Sequence, residues 1–140
     1  HQVTAEHNGY RKLGARHQRT LLSNEDGWIV TDSVFPTRLP HQQVHHVRLT
    51  WLLPDWPYTF KTENLIQVQG PQFAIWLEIK GAHQISIFRA GECLHGKLPP
   101  KTAWGWTAPN YGQKEPVLMI LAEQEGPLPM SFESTWRFEP

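Results

Sequence analysis

Apolar and polar residues alternate with a period of two through most of this chain, and that pattern limits its fold more than any other. Phe73, Ile75, Leu77 and Ile79 fall on one parity, and Ala74, Trp76, Glu78 and Lys80 on the other. Phe132, Ser134, Trp136 and Phe138 oppose Ser131, Glu133, Thr135 and Arg137; Val47, Leu49, Trp51 and Leu53 oppose His46, Arg48, Thr50 and Leu52. Successive side chains of a strand point to opposite faces, so each segment reads as a strand with one face on a core. The run Val117-Leu118-Met119-Ile120-Leu121-Ala122 is apolar without alternation, the pattern of a central strand covered on both faces. No segment combines a helical period with caps.

The punctuation agrees. Asn24-Glu25-Asp26-Gly27 separates two strand-like runs and reads as a hairpin turn. Lys80-Gly81-Ala82-His83 joins the strand ending near Ile79 to Ile85-Ser86-Ile87-Phe88. Pro54, Pro57, Pro71, Pro99, Pro100 and Pro109 fall between strands, where a missing N–H is harmless. The expected fold is all-β, an antiparallel β-sandwich of about nine short strands. A length of 140 residues suits one domain spanning 1–140, with one core.

Charge narrows the function. Lys+Arg and Asp+Glu are 13 each, so no bulk field favours nucleic acid or an anionic membrane, and neither is expected as a partner. No apolar run is long enough to span a bilayer as a helix, and no signal peptide is visible. The single cysteine, Cys93, excludes an intrachain disulfide framework. The chain opens on His1 without an initiator Met and is expected to be a processed protein or a piece of a longer one.

Candidate chemistry is sparse. His41, His45 and His46 with Asp32 upstream are residue types that zinc accepts, but their spacing matches no zinc signature, and adjacent strand residues face opposite sides. No metal or cofactor is expected. His17 and Arg19 share one face of a strand and could grip an acidic sugar's carboxylate, or form a solvated edge pair. Cys93 lies two residues before His95, which does not make a dyad. There is no Gly-x-Ser-x-Gly elbow, no phosphate loop and no obvious carboxylate pair, so no catalytic residue is assigned. The 7 Trp either fill the core or offer indole faces to sugar rings. Trp76 discriminates, because its parity opposes the Phe73–Ile79 face.

Two segments carry a resemblance. The first is Glu6-His7-Asn8-Gly9-Tyr10-Arg11-Lys12-Leu13, then His17-Gln18-Arg19, then Trp28-Ile29-Val30-Thr31-Asp32. The second runs from Gly105-Trp106 through Tyr111-Gly112 to Lys114 and Pro116. Together, in this order, they resemble the C-terminal region of the heparinase II/III-like polysaccharide lyase family. There the patterns are H-x-G-Y-x-x-L, H-R-R, hydrophobic-V-x-D and G-W-x-S-x-x-Y-G-x-K-x-P. The chain departs from them at Gln18, at Ala108 in place of Ser, and at Leu52-Leu53-Pro54 after Trp51, where His-Leu is usual.

The resemblance implies an acidic, uronate-containing polysaccharide as the partner of the parent protein, cleaved by β-elimination, and an N-terminal helical toroid domain in the same parent chain. It places the catalytic Tyr and His upstream of His1 and favours a periplasmic or extracellular location. The chain itself is then a non-catalytic sandwich that buttresses the toroid and lines the sugar cleft. Its sugar-binding candidates are His7, Tyr10, His17, Arg19, Trp76, Trp106 and Tyr111. In the loop, Gly105 and Gly112 are expected to adopt backbone angles that other residues avoid. Two other readings stay open: an independent carbohydrate-binding module, and a structural or protein-interaction domain without ligand.

Overall fold

The computed structural model describes residues 1–38 and 43–140. Among the described residues the chain is all-β apart from one 3-10 turn at Arg11–Leu13. Its strands are β1 (Gln2–His7), β2 (Ala15–Ser23), β3 (Gly27–Pro36), β4 (His45–Leu53), β5 (Tyr58–Phe60), β6 (Leu65–Gln69), β7 (Ala74–Lys80), β8 (Gln84–Arg89), β9 (Glu92–His95), β10 (Trp106–Thr107), β11 (Glu115–Pro116), β12 (Leu118–Gly126) and β13 (Met130–Glu139). Among the described residues there are therefore thirteen strands, not about nine. The additional ones escape pattern reading for physical reasons. β10 and β11 are two residues each, too short to show a period, and all six residues of β1 are exposed.

Seven strands form one antiparallel sheet in the order β1-β2-β3-β13-β7-β6-β5; four form a second in the order β4-β12-β8-β9. The alternation predicted from sequence sets the faces. Ile75, Leu77 and Ile79 of β7 and Phe132 and Trp136 of β13 meet Leu49 and Leu53 of β4, Leu118 and Ile120 of β12, and Ile87 of β8 in one core. The apolar run does form a central strand, flanked by β4 and β8. Leu118, Ile120 and Ala122 enter the core, while Leu121 is buried on the opposite parity. That side is covered in part by a loop, which lays Trp104 on Phe88 with ring centroids 4.7 Å apart.

The hairpin at Asn24–Gly27 closes as predicted. The Asn24 carboxamide oxygen accepts from the Asp26 and Gly27 amides at 3.1 and 2.9 Å, and β2 pairs β3 with Ser23 opposite Trp28. Lys80–His83, by contrast, is a crossover that carries the chain from the large sheet to the small one.

Strands lie about 4.8 Å apart, so the large sheet is roughly 29 Å across and the small one roughly 14 Å. The excess lies on the β1 side. At the other side β9 meets β5 through His95 stacked on Phe60, centroids 4.1 Å apart. Near the β1 side, Trp51 of β4 packs edge-on against Trp136 at 5.0 Å and donates its indole N–H to Ser134 Oγ at 3.0 Å. Beyond β4, the inner face of β1 and β2 overhangs.

Gly105 and Gly112 bracket the aromatic loop with φ of 73° and 76°. Gly105 also lies against the β8–β9 turn: its carbonyl accepts the Ala90 and Val117 amides, and a Cβ there would sit 2.5 Å from Arg89 Cα. Gly112 has no neighbour within 4 Å of such a Cβ. Gly112→Ala should therefore cost only the left-handed backbone penalty, about 1 kcal/mol. Gly105→Ala adds a backbone clash and should cost about 3 kcal/mol. Chemical denaturation of the two variants measures the difference.

Candidate functional site

The overhang explains why polar residues occupy a sandwich's inner face. On β2 that parity reads His17, Arg19, Leu21; on β1 it reads His7, Ala5, Val3. With no apolar sheet opposite, those positions tolerate polar groups at the His7 end. Of the polar side chains there, Asp32 on β3 is deeply buried, at 3 % exposure. A groove of about 440 Å³ runs between this face and the edge strand β4; its lining includes Tyr10, His17, Arg19, Asp32, His46 and Arg48.

Asp32 is the anchor. Arg19 lies directly opposite it in register and grips it with two bonds, Nε to Oδ1 at 2.7 Å and Nη2 to Oδ2 at 3.0 Å. The guanidinium lies 4.9 Å from the Trp51 ring centroid, so the same indole caps the core and carries the arginine. His17 Nε2 meets Asp32 Oδ1 at 2.7 Å. His17 Nδ1 meets His7 Nε2 at 3.1 Å, and the Gly9 amide donates to His7 Nδ1 at 3.2 Å.

The two ends of this chain set its direction. An amide N–H can only donate and a carboxylate can only accept. His7 Nδ1 is therefore an acceptor, His7 Nε2–H donates to His17 Nδ1, and His17 Nε2–H donates to Asp32. All four ring nitrogens of the two histidines have partners within the chain, so a base or a metal ligand there would first have to break one of these bonds. Tyr10 packs its ring 5.2 Å from His7 and is half exposed.

The structure thus joins four of the sequence candidates, His7, Tyr10, His17 and Arg19, and separates three. Trp76 lies on the opposite face of the large sheet, in register with Arg137 and Gln67, its Nε1 bonded to Glu139 at 2.8 Å. Trp106 is half buried, bonded to the Thr102 carbonyl at 3.1 Å, with the Lys114 ammonium 3.8 Å from its ring centroid. Tyr111, named among the sugar-binding candidates, is fully exposed.

Of the residues weighed for zinc, Asp32 is held by Arg19 and His17, and His46 is bonded to Glu123 at 2.9 Å. His45 precedes His46 on β4 and so faces the other side. His41 lies outside the described residues. Among the described residues no three His, Cys, Asp or Glu side chains converge to hold a metal. Cys93 is half buried and its thiol points to the His95 carbonyl at 3.3 Å. The nearby Tyr58 hydroxyl is held above its ordinary value of 10.0, first by burial and then by the charge of the Cys93 thiolate.

Asp32's role was legible in the turn. A hairpin centred on Asn24–Gly27 pairs Ser23 with Trp28, and counting back pairs Arg19 with Asp32. The second carboxylate of the groove region, Glu123, had no such signal, because its partner Arg48 is 75 residues away.

The family described as "Heparinase II/III-like, C-terminal" matches residues 1–138. No curated protein matches the sequence. Among solved structures, the chain is similar to one titled "Heparinase III-BT4657 gene product", with a TM-score of 0.70 over 98% of this chain at 12% identity. It is also similar to the form with methylated lysines, with a TM-score of 0.71 at 12% identity. This chain spans 19% of the length of those solved chains.

Two measurements check the cluster. Removing the buried carboxylate leaves Arg19 and His17 without their shared acceptor, so Asp32→Ala should lower stability by about 3 kcal/mol, the low end for a broken buried pair because Arg19 keeps contact with water. Urea unfolding reads this directly. Side-chain 15N NMR should find both His7 and His17 as the Nε2–H tautomer; an Nδ1–H tautomer at either would break the inferred direction.

Proposed function

The chain belongs to the heparinase II/III-like, C-terminal family, and from that membership we propose that residues 1–140 are one non-catalytic domain of a polysaccharide lyase-type protein. Its role is to buttress an N-terminal catalytic toroid and to form one wall of a cleft for an acidic polysaccharide. The observation that carries this reading is the groove beside β4. It presents a tyrosine ring and a guanidinium locked on Trp51, while every histidine nitrogen of the cluster is already committed. Such a surface can hold and orient an anion without moving a proton. Arg19 keeps Nη1 free of partners among the described residues, a donor for a carboxylate or sulfate. The buttressing role is supported by Val3, Leu13 and Trp28, large apolar side chains exposed around the overhang.

One observation favours a second reading, an independent carbohydrate-binding module. Trp76 is only partly buried on the outer face of the large sheet, so one indole is open to contact outside the groove. Titration of the chain with a uronate tetrasaccharide separates the two. On the cleft-wall reading, Tyr10→Ala and Arg19→Lys each weaken binding by about tenfold, because a lost stacking ring or a lost planar fork costs that much, and Trp76→Ala leaves it unchanged. Loss of binding in Trp76→Ala alone would move the site to the outer face and replace the cleft-wall reading by the module.

A further inference from the structure

The Arg19 cluster has a second copy. On β2, His17-x-Arg19 grips a buried carboxylate, Asp32, on the neighbouring strand, and Trp51 lies under the guanidinium. On β4, His46-x-Arg48 grips a buried carboxylate, Glu123, on the neighbouring strand β12, and Trp104 lies under the guanidinium at 5.9 Å. In both, Arg is directly opposite the acid in register and His is two residues before it. The Nε and histidine contacts match as well, although Arg19 adds an Nη2 bond that Arg48 lacks. Arg48 Nε meets Glu123 Oε1 at 2.8 Å, His46 Nε2 meets the same oxygen at 2.9 Å, and Glu123 is 6 % exposed.

The two sets belong to different sheets, yet both border the groove along the β4 edge. Each carboxylate fixes the Nε side of its arginine and leaves terminal N–H groups outward. Arg48 has no other partner for Nη1 and Nη2 among the described residues, and its side chain is 38% exposed against 41% for Arg19. A guanidinium beside an indole and anchored by a buried carboxylate loses little freedom when it binds an anion.

We propose that His46, Arg48 and Trp104 form a second anion subsite, so that the groove takes an acidic glycan through two of its charged groups rather than one. This rests on the cleft-wall reading for the class of ligand, and deepens it by naming residues that no sequence motif marks. The ligand is a chain with acidic groups on neighbouring units, a polyuronate or a sulfated glycan, with one carboxylate or sulfate at Arg19 and another at Arg48.

The test uses the wild-type chain and the variants Arg48→Lys, Arg19→Lys and the double variant, titrated with the same uronate tetrasaccharide. Each single variant should raise Kd by about tenfold and the double variant by about a hundredfold, since Lys keeps the charge but not the planar fork. In the wild type, the Arg48 Nε–H and Trp104 indole N–H resonances should shift on titration, a readout that needs no variant to fold. If Arg48→Lys binds as the wild type does and its resonances stay put while Arg19→Lys weakens, the second subsite is wrong and the cleft wall stands. If the wild type shows no binding, both fall.

Discussion

A sheet of seven strands packs against a sheet of four, so part of the larger inner face has no apolar sheet to meet. The rest of the structure follows from where that excess lies. The two sheets align at the β5–β9 side, where Phe60 and His95 stack, and the overhang falls on β1 and β2. Within the overlap, the inner face is apolar apart from Ser134; beyond it, the same parity carries His7, His17 and Arg19. Trp51 marks the boundary. One side of it closes the core against Trp136 and Ser134, and the other carries the Arg19 guanidinium.

Polar groups at such a boundary have to be mutually satisfied or they would cost stability. No buried side-chain nitrogen or oxygen among the described residues lacks a hydrogen-bond partner. Asp32 and Glu123 achieve this in the same manner, each taking an arginine from directly across the strand pair and a histidine from the diagonal position. The repetition has a geometric basis. In an antiparallel pair, a residue reaches its direct partner and the diagonal neighbour on the same face. An H-x-R sequence on one strand therefore presents both groups to one carboxylate on the next. Around Asp32 the arrangement uses up both carboxylate oxygens and every nitrogen of His7 and His17 and leaves an arginine tip free, which suits binding and positioning better than proton transfer.

Much of this was legible in the chain. The alternation in β4, β7 and β13 gave the correct buried faces, and the unbroken apolar run correctly announced a central strand. The loop glycines adopt the positive φ that their setting called for. The shared face of His17 and Arg19 was readable from spacing, and their carboxylate partner followed from the hairpin turn. The strand count was not readable, because two-residue strands have no period and an exposed edge strand such as β1 has no one-sided burial. Nor was Tyr111's isolation. An aromatic residue in a Gly- and Pro-rich loop looks alike in sequence whether the loop folds inward or out.

The sequence by itself determined the class of fold, the parity of each long strand and the turn that sets the β2–β3 register, because these depend on neighbours a few residues apart. Only the tertiary structure decided that β13 lies between β3 and β7, that β4 ends its sheet as an edge, and that Arg48 meets Glu123. Those facts join residues far apart in the chain. Alternation says which way a side chain points, but not which strand it will meet there or where the opposing sheet runs out. The groove exists because of that last fact, and so its chemistry became visible only when the two sheets were laid against each other.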